Sequence, residues 1–529
     1  MKITFKNLIF LSFTCLLIPS AILAPHAYSI SLNDAILKTL DANPDIKIQK
    51  EKISQSEGTL QTASGQFDWI GYGSISKELD KTPLTMSQEQ KAQAAAVLAG
   101  TTAPEYLREE TEIYSAGATK QLRSGVTITP SISAANYYDN NSLTREAAYS
   151  DYSIEIVIPL MRGLGAAHTA ADERAASSGL TATELISSYN IAGSIYTTAE
   201  SYWNCLAAER NLNIIKDMEK RGRELFQLVE LLIRGGELAP EMLYQAKAKL
   251  LLRQSNLAEA HLSLYESRQS LAVSMGLSTD ELLTAPMAEG TFPAVIPPDL
   301  LHRIDAKRFV REALARRADY ATAKQNIRTD EIRLVKAEND MKPSLDLGIT
   351  PGYGGLDESD NANRYHQTFY HQLTGPKVLV SLNLELPVAN NAARGEVVRR
   401  KSVVREKELV TEKLSHSITS QVLVSLKTLE STINEYMRAK EARESYEKTV
   451  QSETRKLKEG ETTLTALIDL EDRYYQSRIS ENSALNKYAV SLAKLRFVTG
   501  AILERDRDGG RQVTVRLKNL LEIPFLDES

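Results

Sequence analysis

The side chains that could carry out chemistry are few in this sequence, and their spacing does not group them. The seven histidines include no His-Glu-x-x-His pair and no cluster with metal-ligand spacing. No serine lies in a Gly-x-Ser-x-Gly elbow, and no Gly-x-x-x-x-Gly-Lys-Ser/Thr run offers a nucleotide site. His366 and His371 share a predicted loop, where a weak metal site and two solvated side chains are both compatible with the sequence. The residues argue against an enzyme, and we expect no catalytic, cofactor-binding or metal-binding residues.

The overall composition favours long helices over compact enzyme domains. The chain has 529 residues, of which 25% are charged and only 6% are aromatic. Its formal net charge is −5, whereas a nucleic-acid partner would require clustered Lys and Arg. We therefore expect no nucleic-acid partner.

The N-terminus has the pattern of an export signal. Lys2 and Lys6 precede an apolar run from Leu8 to Ala24, and small residues follow. The alternative is a membrane anchor, but the run is short and lacks a flanking charge cluster. We therefore predict a signal peptide over residues 1–29, with cleavage after Ala24 or Ser29, and we find no later apolar run long enough for a membrane helix.

The two cysteines predict no disulfide within the mature chain. Cys15 lies inside the apolar run and would leave with the signal, and Phe13 and Thr14 before it make a poor lipid-attachment site. Cys205 would then be alone on an apolar helix face, which is typical of a small core residue.

Two long stretches without proline dominate the elements that must position these side chains. No proline occurs from Val388 to Ile523, and the apolar residues of its first part recur in steps of three and four, as on one face of a helix. From Pro387 to Gly460 is 460 − 387 = 73 positions, or about 110 Å of helix. A second long helix is predicted from about Ala166 to Ile233. Helices of this length must be explained by the function.

Strands are predicted where apolar and polar residues alternate. The clearest are Tyr152–Pro159 and Val378–Pro387, each with one apolar and one polar face. Shorter strands are predicted at Trp69–Ser76 and Leu345–Ile349.

The landmarks of the chain occur twice. Pro159 and Pro387 each end a strand before a long helix and are 387 − 159 = 228 positions apart. Gly236 and Gly460 each break that helix and are 460 − 236 = 224 positions apart. The nearly equal offsets predict two structural repeats with helices of almost fixed length.

The first repeat has an insertion in its β region. Trp69 lies 343 − 69 = 274 positions before Pro343, which exceeds the offset of 228 by 46. Within the insertion, Tyr114–Leu122 and Val126–Ala134 predict a hairpin, and residues 80–110 predict a loop or short helix. These residues could extend loops or add strands to the sheet.

The strands favour a membrane sheet that several chains share. A strand in lipid needs about 9–11 residues, which Lys377–Leu386 provides, and such strands must close into a barrel. The smallest barrels have about eight strands, whereas the clear strands here number two in each repeat. An ordinary half-buried sheet is the alternative. Export of the chain and the absence of a predicted membrane helix favour strands that lie in the membrane. Because four strands cannot close a barrel, several chains must share one, which favours a homo-oligomer.

With these features, the chain resembles the TolC family of outer-membrane efflux proteins from about Leu32 to Gly500. The resemblance rests on motifs that occur in order and in duplicate. They are Asn43-Pro44, the strand ends Ile158-Pro159-Leu160-Met161-Arg162-Gly163 and Leu386-Pro387-Val388, and the helix breaks Arg234-Gly235-Gly236-Glu237-Leu238 and Lys458-Glu459-Gly460-Glu461-Thr462.

The resemblance implies a mainly α fold with a small β part, in which a homotrimer shares a long α-helical barrel, with coiled-coil packing, and a transmembrane β-barrel. Four strands from each of three chains would give the family's 12 strands, so we interpret residues 80–134 as extracellular loops. The protein would lie in the lipid of the cell outer membrane and extend into the periplasm. There it would meet a periplasmic adaptor (membrane fusion) protein and an inner-membrane RND or ABC pump.

The resemblance also assigns roles to residues near the helix breaks. The periplasmic tip turns would be Gly235, Gly236 and Gly460, although a plain helix cap would also favour glycine there. Asp469 matches an aspartate that constricts the family's pore, and a solvated helix residue is the alternative. The family's second aspartate matches Ala466 and its basic gating position matches Thr462, so the chain departs from the family pattern.

The predicted organisation is a signal peptide (1–29), a first efflux repeat (30–285), a Pro-rich linker (286–304), a second repeat (305–500) and a tail of short helix and coil (501–529). The implied function is a passive exit duct for efflux or for type I secretion, which the sequence does not separate. A periplasmic coiled-coil scaffold is the alternative. The long helices allow it, whereas the strands and the duplication argue against it.

Overall fold

The computed structural model of the chain describes residues 28–140, 146–297, 305–359, 364–370, 376–459, 461–505, 513–514 and 522–525. All but the last two residues of the predicted signal peptide lie outside this set. The same holds for Gly460, His371 and parts of the predicted linker and tail.

Nine helices of at least 11 residues account for most of the described chain. They are α1 (Leu32–Ala42), α2 (Pro44–Ser64), α3 (Met86–Ala99), α4 (Ala171–Arg234), α5 (Met242–Met275), α6 (Ala306–Arg316), α7 (Ala318–Asp340), α8 (Asn391–Lys458) and α9 (Leu464–Val498). The two long helices predicted from the sequence are confirmed as α4, with 64 residues, and α8, with 68 residues.

The order and lengths of the helices recur in the two halves of the chain. Helices α1, α2, α4 and α5 have 11, 21, 64 and 34 residues. Helices α6, α7, α8 and α9 have 11, 23, 68 and 35 residues. The two predicted repeats are therefore confirmed, and α3 belongs to the insertion in the first.

The first helical run breaks at the predicted Asn43-Pro44 motif. Asn43 has an extended backbone (φ −60°, ψ 124°), which is favoured before a proline. Its side-chain amide donates a 2.7 Å hydrogen bond to the Ser274 carbonyl oxygen. Gly276, which caps α5 with φ +74°, lies so close that a Cβ there would be 2.4 Å from Asn43 Cα. The motif therefore fixes the end of α5 against the start of α2.

Six antiparallel strands form one sheet, and neighbours in the sheet are neighbours among these six strands along the chain. They are β1 (Ile70–Pro83), β2 (Tyr106–Gln121), β3 (Thr127–Asp139), β4 (Glu146–Pro159), β5 (Ser344–Asp357) and β6 (Lys377–Glu385). The four strands predicted from the alternation are confirmed as β1, β4, β5 and β6, and the predicted hairpin is β2 and β3.

The interpretation of residues 80–134 as loops is wrong for 80–83, 106–121 and 127–134, which belong to strands β1, β2 and β3 of the sheet. Strand β1 continues to Pro83 and pairs with β2 from Ile70↔Thr119 to Pro83↔Tyr106. The charged residues that favoured a loop are matched between strands, since Lys77 Nζ lies 2.6 Å from Glu112 Oε1. Only the segment between β1 and β2, which contains α3, lies beyond the sheet.

Two short strand pairs lie outside the sheet. Ser29–Ile30 pairs in parallel with Met287–Ala288, within the predicted linker. Glu504–Arg505 pairs antiparallel with Val513–Thr514 in the tail. The described part of the tail therefore contains strands where a short helix was predicted.

The contacts divide the chain into two compact units. One comprises Met1–Pro44, Ser194–Leu301 and Leu429–Ala493, and the other Asp45–Gly193, His302–Thr428 and Lys494–Ser529. The core of the first includes Trp203 stacked on Phe292 at 5.6 Å between ring centroids. The second contains the sheet, together with Tyr189 against Phe497 at 5.3 Å. Among the described residues, no helix has an apolar stretch long enough to span a membrane.

Candidate functional site

The first helix break is a glycine-terminated turn. Helix α4 ends at Arg234, and the Gly236 N–H donates to the Ile233 carbonyl at 3.0 Å. The Glu237 N–H then donates to the Leu232 carbonyl at 2.9 Å. Gly236 has φ +78°, and no atom lies within 4 Å of the position a Cβ would take. Glycine is required there by the backbone angle and not by lack of space.

The second break is described on both sides of Gly460, which itself lies outside the described residues. The Glu461 N–H donates to the Lys456 carbonyl at 2.9 Å, across the end of α8. Thr463 precedes α9, and its hydroxyl accepts the Ala466 N–H at 3.3 Å. The Thr462 hydroxyl donates to the Glu453 carboxylate. Thr462, which the resemblance aligns with a basic gating position, therefore carries a neutral hydroxyl that is hydrogen-bonded to a carboxylate.

One apolar cluster, here called the tip cluster, joins the two breaks. Its buried members are Leu225, Val229, Ala246, Leu464 and Ile468. Side chains at its margin come from both turns, and they are Phe226, Ile233, Leu238, Met242 and Leu457. The structure thus brings together the two turns that the sequence placed 224 positions apart.

Asp469 lies in the second turn of α9, on the solvent-exposed side of that helix. Its neighbours Leu467 and Ile468 are buried, whereas Asp469 is exposed. Exposure is compatible with a pore-lining residue and with a solvated one. The assignment of Asp469 to a pore constriction therefore stays a prediction.

An ion network that the sequence analysis missed joins α4, α5 and α9. Arg253 Nη2 lies 2.7 Å from Asp472 Oδ1 and 3.9 Å from Glu471 Oε2. Arg221 Nε lies 2.8 Å from Glu471 Oε1, and Lys249 Nζ lies 2.8 Å from Asp472 Oδ2. The Arg253 and Glu471 side chains are only 2% and 3% exposed. Charges from three helices are thus held together inside the protein.

A glycine makes room for the central arginine. A Cβ at Gly222 would lie 2.8 Å from Arg253 Cδ, so a larger residue on α4 would displace the guanidinium. Nearby, burial and the Glu471 carboxylate raise the pKa of Tyr475 to about 12, and its hydroxyl donates to the Asp217 carbonyl at 3.3 Å. No sequence signal could have identified this network, since its members are about 220 to 250 positions apart.

From β3 to β6 the sheet has one mainly apolar face and one mainly polar face. The register aligns Ile128, Ile156, Ile349 and Val380 in a single row across β3 to β6. The apolar side chains of β6 are exposed in one chain, with Val380 and Leu382 both at 63%. Exposed apolar rows of this size indicate contact with lipid or with another apolar surface.

The opposite face of the sheet carries hydroxyl groups paired between strands. Three pairs of hydroxyl oxygens lie within hydrogen-bond distance. They are Ser74 and Ser115 at 2.8 Å, Thr119 and Thr129 at 3.2 Å, and Ser131 and Ser153 at 2.9 Å. Such a face is suited to contact with water.

The predicted histidine pair falls on the segment between β5 and β6. His366 Nδ1 lies 3.0 Å from the Tyr370 hydroxyl, and His371 lies outside the described residues. In the same segment, the Phe369 ring packs edge-on against Tyr152 at 5.4 Å. No group of three potential metal ligands occurs among the residues that the structure describes. Cys205 is buried, as predicted for a core residue.

The architecture of these helices and this sheet is similar to that of solved outer-membrane channels. The structure is similar to the Campylobacter jejuni CmeC outer membrane channel, with a TM-score of 0.64 and 16% identity over 89% of this chain and 85% of that chain. It is also similar to the outer-membrane channel OprN, with a TM-score of 0.64 and 14% identity over 89% and 90% of the two chains. The Neisseria gonorrhoeae MtrE outer membrane channel gives a TM-score of 0.60 at 14% identity over 89% and 88%. The mainly α fold with a small β part that the sequence motifs implied is therefore confirmed.

One sequence relative is likewise an outer membrane protein. The pyoverdine export outer membrane protein OpmQ of Pseudomonas putida is 23% identical over 291 residues, which are 53% of this chain and 56% of that protein. The chain thus matches about half the length of this curated relative. No family model matches the sequence.

Proposed function

We propose that three copies of this chain form a passive exit duct in the outer membrane. The observation that carries the proposal is the two-faced sheet within a fold shared with outer-membrane channels. Apolar rows on one face suit lipid, and paired hydroxyl groups on the other suit a water-filled lumen.

The helix breaks are the proposed periplasmic entrance of the duct. The tip cluster places both breaks at one site, which a periplasmic adaptor protein could recognise. An inner-membrane RND or ABC pump would supply the energy, because the sequence has no nucleotide-binding run. Asp469 is the proposed constriction residue, and residues 1–29 the signal removed on export.

We further propose that the cargo is a small molecule and not a protein. The support is the relative whose name assigns it to pyoverdine export. The test is a deletion strain in which exported metabolites and secreted proteins are measured side by side. Retention of metabolites with normal protein secretion is expected, and the opposite pattern would assign the duct to type I secretion.

Fractionation and electrophysiology test the main proposal. The expected product is an outer-membrane oligomer that resists SDS and dissociates on heating, and that forms ion-conducting pores in planar bilayers. A soluble periplasmic product without pore activity would instead support the coiled-coil scaffold.

A further inference from the structure

We propose that the hairpin β2–β3 is part of the membrane wall, so that each copy contributes six strands and three copies close a barrel of eighteen. The inference rests on the proposed function and departs from the 12 strands that the resemblance implied. Its starting point is the sheet itself, in which β2 and β3 lie between β1 and β4. Removal of the hairpin from the wall would leave β1 without its partner and β4 paired only with β5.

The pairing of the hairpin is as extensive as that of the other strands. Strand β1 pairs with β2 over all its residues, from Ile70↔Thr119 to Pro83↔Tyr106. Strand β3 pairs with β4 from Thr127↔Val157 to Tyr138↔Glu146. A hairpin that merely extended a loop would not need a continuous ladder on both sides.

The faces of the hairpin match those of the neighbouring strands. Ile132 lies opposite Ala116 on β2 and Tyr152 on β4, all on the apolar face. Ser131 and Ser115 lie on the polar face and take part in the hydroxyl pairs with Ser153 and Ser74. The apolar row of the membrane sheet therefore continues through the inserted strands.

The apolar band of β2 has charged ends. On this face, Tyr114, Ala116 and Ala118 lie between Glu112 and Lys120. The nine positions from 112 to 120 fit the about 9–11 residues of a membrane strand. Lys120 Nζ lies 5.4 Å from the centroid of the Trp69 ring, an arrangement typical of the membrane interface, where a lysine reaches toward water.

The turn of the hairpin is built into the base of the sheet. Arg123 makes two hydrogen bonds to the Glu173 carboxylate, at 2.6 and 2.7 Å, and its guanidinium lies 4.6 Å from the centroid of the Phe67 ring. The Gly165 N–H donates to the Ser124 carbonyl at 2.9 Å. Gly125 has φ +97°, and a Cβ there would lie 2.3 Å from the Gly163 carbonyl oxygen.

These contacts fix the direction of the inserted strands. Glu173 belongs to the first turn of α4, which follows β4, so the turn lies at the end of the sheet from which the long helix departs. The other ends of β2 and β3 lie at the opposite end of the sheet. The hairpin therefore runs the full length of the sheet in the direction of the strands. Barrel diameter grows roughly in proportion to strand number, so eighteen strands predict a mouth about 1.5 times as wide as twelve.

Cysteine accessibility in the outer membrane tests the inference on the full chain. Single cysteines replace Ile132 and Ser133 in the hairpin, and Val380 and Ser381 in β6 as the matched control pair. Cys205 is buried, so the unsubstituted chain is the blank. We expect I132C and V380C to resist a water-soluble maleimide and to react with a lipid-soluble one, and S133C and S381C to react with the water-soluble reagent.

The outcomes separate the inference from the function it rests on. If V380C and S381C behave as expected but I132C reacts fully with the water-soluble reagent, the hairpin lies outside the membrane and the six-strand wall is overturned. If V380C is also water-accessible, the membrane sheet itself is wrong, and both proposals fall.

Cross-linking at the free edges tests the number of copies. Within the described residues, β1 and β6 each pair with one strand only, so each is free to pair with another copy. Cysteines introduced along β1 from Ser74 to Ser76, each combined with S381C, are oxidised in membranes. A ladder that ends at covalent trimers is expected for eighteen strands, and one that ends at another number would overturn that count.

Discussion

Arg253 and Asp472 form a 2.7 Å hydrogen bond that joins α5 to α9. The arginine is almost fully buried, and it also donates to the Met218 carbonyl of α4 at 3.2 Å. One side chain therefore ties three helices of the same compact unit. Since buried charges are costly to leave unpaired, this bond makes the local helix arrangement depend on a single residue.

Arg253→Ala is expected to destabilise the protein by roughly 3 kcal/mol, the low end of the range for a broken buried pair. The loss is not larger because Arg221 and Lys249 still face Glu471 and Asp472. The heat-induced dissociation of the SDS-resistant oligomer provides the measurement. Lys249→Ala is the matched control and should cost less than about 1 kcal/mol, because the Lys249 side chain is partly solvated. Equal effects of the two changes would contradict the central role of Arg253.

The helix breaks show how far the sequence alone can predict this site. Glycine and proline mark ends of helices through their own backbone preferences, so Gly236 could be assigned without knowledge of any partner. The Arg253–Asp472 bond could not be predicted, because its two residues are 219 positions apart. In the sequence, each of them looks like an ordinary solvated residue of a helix. The turns were thus predictable, and the ion network that joins the adjoining helices was not.

The sheet shows the same limit of prediction from the sequence, because the partner of a charged residue on a strand is not known in advance. Most residues from Tyr152 to Ile158 in β4 and from Val380 to Glu385 in β6 alternate between apolar and polar, so these two strands were predicted. Strand β2 carries acidic residues at Glu109, Glu110 and Glu112 and was only partly predicted. Lys77 neutralises two of these from the neighbouring strand, at 3.6 Å from Glu110 and 2.6 Å from Glu112. A charge that a cross-strand partner compensates is compatible with a strand, but the partner is known only once the register is known.

Gly236→Ala is expected to destabilise the first helix break by about 1 kcal/mol, because an L-residue is strained at φ +78°. Gly235→Ala is the matched control, since a Cβ there would meet ordinary contacts at 3.6 Å. Hydrogen exchange of the amides of Gly236 or its replacement and of Glu237, which donate to Ile233 and Leu232, measures the effect. Faster exchange in G236A than in G235A is the expected result, and the reverse order would mean that the turn is set by packing.

The ion pair at the hairpin turn predicts a dependence of stability on pH. Hydrogen bonds from Arg123 lower the pKa of Glu173 below its ordinary value of 4.5. A carboxyl group with a lowered pKa stabilises the folded state fully above its unfolded pKa, and this contribution is lost as the pH falls through the folded pKa. We therefore expect the oligomer to lose heat resistance as the pH falls below about 4.5, and Arg123→Ala to weaken that dependence.

Glu173→Gln is the control for this titration. It removes the ionisable group and should make the pH profile as flat as that of R123A, while R123A and E173Q should be similarly stable at low pH. A profile that stays as steep in E173Q would assign the pH dependence to other carboxyl groups.

Leu382→Lys is expected to disrupt assembly in the membrane, whereas Ser381→Lys should be tolerated. Leu382 lies on the apolar face opposite Leu347, and Ser381 lies on the polar face opposite Gly348. A lysine exposed to lipid near the centre of a barrel strand costs roughly 2–4 kcal/mol. The amount of SDS-resistant oligomer in the outer-membrane fraction measures both variants. Equal loss in the two would show that β6 does not separate lipid from water.

Asp469→Asn tests the proposed constriction. If three copies place this exposed carboxylate around one axis, the three carboxylates attract cations together. Loss of the three charges should then weaken block by a trivalent cation about tenfold, equivalent to about 1.4 kcal/mol. Glu461→Gln is the matched control, because Glu461 is an exposed acid next to the same helix break. Single-channel recording in planar bilayers, with the cation added on the side of the helix breaks, gives the block constant for each variant. Leu467 and Ile468, the buried neighbours of Asp469, are unchanged in both variants, so the variants differ only in which exposed charge is lost. Block that weakens equally in both would mean that cations respond to the overall charge of the entrance and not to a ring at Asp469.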